Sequence, residues 1–391
     1  MSKVKFFRST DVGAPQLFGA VGALIPVLDA CLVDGYGSQS VFAMTHLTGT
    51  VTVTTTSSHG LASLSRQTIS GANESGYNGD YIITVVNATQ FTFTVAPDAI
   101  SVNTATGTML TKTGSAGWSK PFNTTNVGVY RPGAGLRHYF KVIDNTTIAA
   151  RLLGFTSMSD VNTGVDQFPS TVQISGGQYW QKSTTTDGTI SRPWIIIADD
   201  RTLYFWVQYG STWDYNSLAM LSIGDFIPQN PGDLYASYCS ANNAQSSYSV
   251  MYFGLLYSNI GAVTTSVGTQ MYAPRSYSQL GSSAVLGKLG DHSKSAQGYI
   301  GVGGSLPYPH PVDGGLYQCP IGIAEGASVA ANSVLRGFMR GVYNPLHNFP
   351  LSHGDIFEGN GDLLGKTFIV LVFCSGTSNL AQIFVDLSEE W

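Results

Sequence analysis

The chain has 391 residues and a formal net charge of −5; 43% of its residues are hydrophobic, 12% aromatic and only 11% charged, where roughly 25% is usual. That composition excludes a disordered chain, which is charge-rich and aromatic-poor. The lack of any Lys/Arg cluster removes the electrostatic footprint of a nucleic-acid binder.

Gly, Ser, Thr, Asn, Gln and Tyr take the place of charge. A surface of that kind is buried against partners without stranding ions in a low dielectric. The expectation is therefore an assembly subunit rather than a freely diffusing enzyme, with no cofactor and no metal. The length allows two compact units.

At the N-terminus, "MSKVKFFRST" is basic and "LFGAVGALIPVL" apolar, and "LDAC" resembles a lipoprotein cleavage box ending at Cys31. Asp11 precedes the apolar run and Pro26 and Asp29 interrupt it, which argues against a signal peptide. The run is also too short to span a bilayer, so no membrane partner is expected. Pro26 can open a helical turn, Val27, Leu28, Cys31 and Leu32 share one face at helical spacing, and Gly35 is a natural stop. This predicts one short helix packed on the core.

Residues 49–110 change character, with Arg66, Glu74, Asp80 and Asp98 their only charges. "TVTVTT", "DYIITVV", "QFTFTV" and "TGTML" alternate apolar and hydroxyl side chains, the period-2 signature of half-buried strands. Residues 86–91 read as a short hairpin loop. The whole stretch is long enough for a small β-sandwich set into a larger body. The expected division is 1–38 and 115–391 for the body and 39–114 for the inserted module.

From Trp118 onward "LRHYFKVID", "STVQISGGQYWQK", "SYSVMYFGLLYS", "KTFIVLVFCS" and "AQIFVDLSEEW" read as strands. "WIIIADDRTLYFWV" reads as a hairpin with Asp199, Asp200 and Arg201 at its tip. In the last strand Ile383, Val385 and Leu387 are expected on the core face and Asp386 outside. "RGFMRGVYNPLHNFPLSHGD" fits no regular element and is read as an ordered loop. The class is all-β: an antiparallel sandwich or barrel-like body, one short N-terminal helix and a small β module.

Candidate chemistry is sparse. His347 and His353 flank five residues with Asp355 beyond, a spacing that matches no standard metal motif, so they read as surface or packing histidines. His310, between two prolines, reads as part of an extended loop or contact surface. The carboxylate pairs Asp199 with Asp200 and Asp225 with Asp233 each have a turn explanation. Cys31, Cys239, Cys319 and Cys374 show no ligand spacing and read as reduced. No catalytic residue is assigned, and the chain is expected not to be an enzyme.

Several segments carry a resemblance: "KFFRSTDVGAPQLFGAVGALIPVLDACLVDGYG", then "AGWSKPF", "GDFIPQNPGDLY", "RGFMRGVYNPLH" with "LSHGD", and "GKTFIVLVF…QIFVDLSEEW". Together they resemble a group of virion structural proteins from tailed bacteriophages. In that group "DGYG" and "AGW" run almost directly together, which marks the intervening residues as an insertion similar to the Ig-like modules of phage tail and head proteins. One departure is Met339-Arg340, where the group usually has Leu-Pro. The resemblance implies a virion location and symmetric self-assembly with other virion proteins, in the tail (baseplate or collar) or as a head decoration. The alternative of another class is a cell-surface glycan-binding or depolymerising tail protein with a host surface glycan as partner, but the sequence shows none of the β-helix repeats that fibre-like depolymerases carry, and nothing else in it supports that partner. Arg336, Arg340, Tyr343 and His347 are the expected interface residues, because ordered Pro/Gly-rich loops bearing Arg and Tyr make good contact surfaces.

Overall fold

The structure is a computed structural model that describes residues 3–210, 218–243, 269–289, 307–325, 334–347, 350–374, 380–388 and 391. It is 51% strand and 5% helix. The expected all-β class therefore holds, with large antiparallel sheets and one short helix. That helix, Leu24–Asp29, runs on into one wide π turn, Ala30–Asp34, which Gly35 ends at φ 73°. Leu24, Val27, Leu28, Cys31 and Leu32 are all buried, as their spacing requires. The helix has no side-chain cap of its own. Its Leu24 N–H instead donates to Asp144 Oδ2 at 2.8 Å, and Asp144 pairs with Lys182 in a fully buried ion pair. A distant β segment thereby satisfies the orphan donor of a helix too short to stand alone.

Most described strands of the body join one network of antiparallel pairings, beside two small two-stranded sheets. Strand Lys5–Arg8 pairs with Trp194–Ala198, which forms the expected hairpin with Thr202–Gln208. The ladder continues through Leu218–Asp225, Ser237–Asn242, Thr269–Ala273, Ala284–Leu289 and Gln318–Glu325 to Val334–Pro345. It closes through Leu380–Asp386, Thr367–Cys374 and Ile356–Glu358. A second run of five strands, Ser119–Thr124 to Gln178–Gln181, meets it at the pair Tyr179 and Asn242.

The central strands are buried on both faces, and each face feeds a different core. Leu203, Phe205, Val207, Leu221 and Ile223 join the cluster that contains the helix. Tyr204, Trp206, Met220 and Ile197 join a second cluster with Ile321, Ile323, Met339, Leu371 and Ile383. Such two-sided burial explains why "WIIIA" and "TLYFWV" are unbroken apolar runs rather than alternating ones.

Two local expectations are corrected. Val334–Pro345 is a twelve-residue strand, not a loop; register shifts opposite Pro320–Gly322 and Ile323–Ala324 let a Gly-rich sequence stay in the ladder. Asp386 is buried, not outside, because Phe384, Phe368, Val370 and Val372 cover the far side of its sheet and Lys366 neutralises it. The "SYSVMYFGLLYS" segment lies outside the described residues. Among the described residues Cys31 and Cys239 are buried free thiols, and the Cys319 thiol donates to the Asn344 carbonyl.

Strands between Tyr36 and Thr113 build a separate seven-stranded sheet. Strand Tyr36–Leu47 pairs along its first half with Gly107–Thr113 and along its second half with Thr50–Thr55, bending at an irregularity between Val41 and Ala43. Gly79–Ile82 ends one half-sheet and Thr84–Asn87 the other, joined across the buried Ile83. The expected hairpin is there: Thr84–Asn87 pairs with Gln90–Thr94. This sheet wraps its own core of Met44, Val51, Val53, Ile69, Tyr77, Phe91 and Phe93. Truncating Phe91 to Ala should cost about 3 kcal/mol or more through the cavity it leaves. Because that core is separate, native-state hydrogen exchange should show protection lost across residues 44–109 while Trp194–Gln208 keeps its own; uniform loss in both sheets would count against separate cores.

Candidate functional site

Two arginines four residues apart on Val334–Pro345 each bind a buried carboxylate of the body. Arg336 is fully buried and makes a two-pronged pair with Asp233, Nε to Oδ2 at 2.9 Å and Nη2 to Oδ1 at 3.3 Å. Its Nη1 donates to Glu325 Oε2 (3.2 Å) and to the Arg275 carbonyl (2.6 Å), and Nη2 also donates to the Tyr235 carbonyl (3.1 Å). Arg275 in turn pairs with Asp166 at 2.8 Å and lies over the Tyr235 ring. Arg340 donates from Nη2 to Asp199 Oδ2 (2.7 Å) and to the Trp391 carbonyl (3.0 Å).

The carboxylates read as neighbours in sequence are thus parted in space. Asp199 does hold the hairpin tip, accepting from the Arg201 and Thr202 N–H groups, but its second oxygen turns inward to Arg340. Asp200 lines a cleft beside the hairpin tip. Asp233 belongs to Arg336. Asp225 is buried, accepts from the Leu136 N–H at 2.8 Å, and feels the charge of Arg340. Burial pushes its carboxyl up to about 6, against the pull of the Leu136 N–H and Arg340.

Of the four expected interface residues, Arg336, Arg340 and His347 are buried within the chain and Tyr343 is half-buried, edge-on to Phe368. The physical reason is that the segment is a strand inside a two-sided sheet, so its cations meet carboxylates of the same chain. His347 uses both ring nitrogens: Nε2 accepts from the Tyr317 N–H at 2.7 Å, so Nδ1, 2.9 Å from the Pro307 carbonyl, carries the proton. His353 instead stacks on Trp206 and accepts from the Val372 N–H. The pair is not brought together, and no metal-ligating group of three or more occurs among the described residues. His310 contacts Asp313 at 3.0 Å.

The other face of the hairpin tip opens on a cleft of about 450 Å³ lined by Lys3, Lys5, Asp80, Ser115, Ala116, Gly117, Gly133 and Asp200. It sits where the seven-stranded sheet meets the body. Lys5 is buried and its ammonium lies 2.5 Å from Asp80 Oδ2. Burial tends to raise the Asp80 carboxyl, but Lys5 and the Thr68 hydroxyl outweigh it and hold the carboxyl below its ordinary range. The cleft presents charges of both signs beside the Ser115–Gly117 segment, so it can take hydrogen bonds of either polarity. Sequence reasoning missed this site; the signal was Asp80, one of only four charges in the Thr-rich stretch.

No protein-family model matches the chain, and no curated protein sequence matches it. Among solved structures, phage phi92 endosialidase is similar at 11% identity and a TM-score of 0.17, over 90% of this chain and 52% of that one. This chain spans about half the length of that protein. The likeness is to a phage protein, and at that TM-score it assigns this chain neither a fold nor an activity. The expectation that the chain is not an enzyme is withdrawn, since the similar structure is an endosialidase, a glycosidase.

Asp225 gives a pH test. Its folded pKa lies above its ordinary 3.8, so the folded state binds the proton more tightly. The contribution of this group is therefore most favourable below the ordinary carboxylate range and falls as pH rises through about 6, by about 3 kcal/mol in full. Asp225→Asn keeps an acceptor for Leu136 and removes the charge. Its stability relative to wild type should rise by about 2 kcal/mol between pH 4.5 and pH 7.5 in denaturant titrations. Taking the difference cancels His138 and His353, both pushed down to about 4 by burial, whose contributions are lost as pH falls from 6.5. A pH-independent difference would exclude the assignment.

Proposed function

We propose that the chain is a virion component of a tailed bacteriophage, placed in the tail region and assembled in several symmetric copies, with residues 39–114 as an inserted module that meets a neighbouring protein. The observation that carries this reading is the outer surface of the module. Phe42 (75% exposed) and Leu47 (76%) project from strand Tyr36–Leu47, with Val102 and Leu110 exposed on the segments beside it. Leu47 lies next to Val102, because Thr45 pairs with Thr104 and the His46 N–H donates to the Asn103 carbonyl. Large apolar side chains grouped this way mark contact surfaces.

Charge supports the same reading. Of the five ionic residues in 39–114, Arg66 is buried, Asp80 is bound to Lys5 at the junction and Lys112 donates to the Asp34 carbonyl, which leaves Glu74 and Asp98. Such a face meets a protein partner with little desolvation cost. The resemblance of the N-terminal, 224–235, 336–355 and C-terminal segments to phage virion proteins supports the placement.

The test is a map of the intact particle together with the copy number of the chain. Density for the body in a tail ring, with the module against a neighbour, is the expected result; density spread over the capsid lattice overturns the tail placement. Phe42→Ser with Leu47→Ser should leave the circular dichroism of the chain unchanged and lower its incorporation into particles at least tenfold. Full incorporation of that double variant removes the module from the assembly. Cleavage of host polysaccharide by the purified chain would add an activity to the same placement.

A further inference from the structure

The module and the body meet along Gly79–Ile82, the end strand of one half-sheet. Asp80 and Ile82 are two residues apart and so point to the same side. Asp80 binds Lys5, whereas Ile82 looks into a second cleft of about 400 Å³, lined also by Leu64 and by Leu364, Gly365, Lys366, Thr367, Leu387 and Ser388 of the body. The apolar side chains there are not pressed together: Leu64 is 42% exposed, Ile82 37% and Leu364 81%. Apolar burial therefore holds this side of the junction only weakly.

Lys112 Nζ donates to the Asp34 carbonyl (2.8 Å) beside the neck, and the other polar contacts across the junction converge on the N-terminal segment. Besides Lys5 with Asp80, the Lys3 ammonium donates to the Asp80 carbonyl (3.3 Å) and Arg66 Nε donates to the Val4 carbonyl (3.2 Å). Strand Lys5–Arg8 is itself fixed to the body by its ladder with Ile195–Ala198. The chain enters and leaves the module through Gly35, Gly37, Gly114 and Gly117, four glycines in two short crossings. Gly114 lies against the ion pair: a Cβ there would sit 2.0 Å from Thr68 Oγ1, and 3.2 Å from both Asp80 Oδ1 and Lys5 Nζ.

From this geometry we infer that the Lys5–Asp80 pair is a latch that sets the orientation of the module on the body, and that breaking it lets the folded module swing on its glycine neck. The glycine at 114 is required for the latch to close. Release opens both clefts at once, since one strand walls the two. The partner contacts of the exposed Phe42 face then depend on the state of a pair some distance from that face. The inference stands on the junction alone and holds for any location of the chain.

The test uses the full chain with Cys319 and Cys374 replaced by Ser and spin labels at Val86→Cys on the module and Val172→Cys on the body, both exposed. Electron–electron distance measurements should give one narrow distribution in that background. Asp80→Asn, which keeps size but removes the charge, and Gly114→Ala, which keeps both charges but wedges them apart, should each widen it at least twofold. Hydrogen exchange inside each sheet should remain at the wild-type level. A distribution that stays narrow in both variants overturns the latch, as does loss of protection within the module, because the pair would then hold the fold rather than its orientation.

Discussion

The arrangement of the body depends on one buried cation. Arg336 ties the strand that carries it to Asp233 and Tyr235 of one segment, to the Arg275 carbonyl and to Glu325. A guanidinium offers five donors in a rigid plane, and all of the partners here lie within the chain. An arrangement of strands that failed to bring Asp233 and Glu325 to it would leave a charge buried without a counter-ion, at a cost of several kcal/mol. The 224–235 and 336–347 segments are therefore positioned as a unit. Backbone pairing says the same, since Ile227 and Pro228 lie opposite Phe338 and Gly337.

This pattern recurs wherever the chain joins distant parts of itself. Lys182 with Asp144 anchors the helix, Lys120 with Asp29 links it to the second strand run, and Arg340 with Asp199 ties the C-terminal strands to the central hairpin across 141 residues. Lys366 with Asp386 and Arg275 with Asp166 do likewise for their strands. The low charge content first reads as a bland surface for partners. In the fold, much of the charge is internal and marks seams, where each pair adds little net stability but disfavours the alternatives that would separate it.

What was legible in the sequence followed the range of the physics involved. The helix was legible because Val27, Leu28, Cys31 and Leu32 obey a local period and Gly35 ends it at positive φ. The Trp194–Gln208 hairpin was legible because its turn lies between two apolar runs. The Val334–Pro345 strand was not, because its glycines mimic a loop and its ladder is set by residues such as Gln318–Glu325 and by carboxylates about a hundred positions away. The same distance hid the true partners of Asp199 and Asp233. The outward reading of Asp386 failed because alternation reports a face covered on one side only, and this sheet is covered on both.

The junction follows from the same constraint. The module has a complete core of its own, so nothing in its folding dictates how it sits on the body. Apolar contact would fix that relation only by burying large side chains, and Leu64, Ile82 and Leu364 remain partly in solvent. Directional bonds cross here instead: Lys5 and Lys3 to Asp80, Arg66 to the Val4 carbonyl and Lys112 to the Asp34 carbonyl. Directional bonds define an angle sharply yet bury little area, so they hold a pose without fusing the two cores. Charge at this seam, in place of buried apolar area, leaves the core of the seven-stranded sheet distinct from the cores of the main sheet.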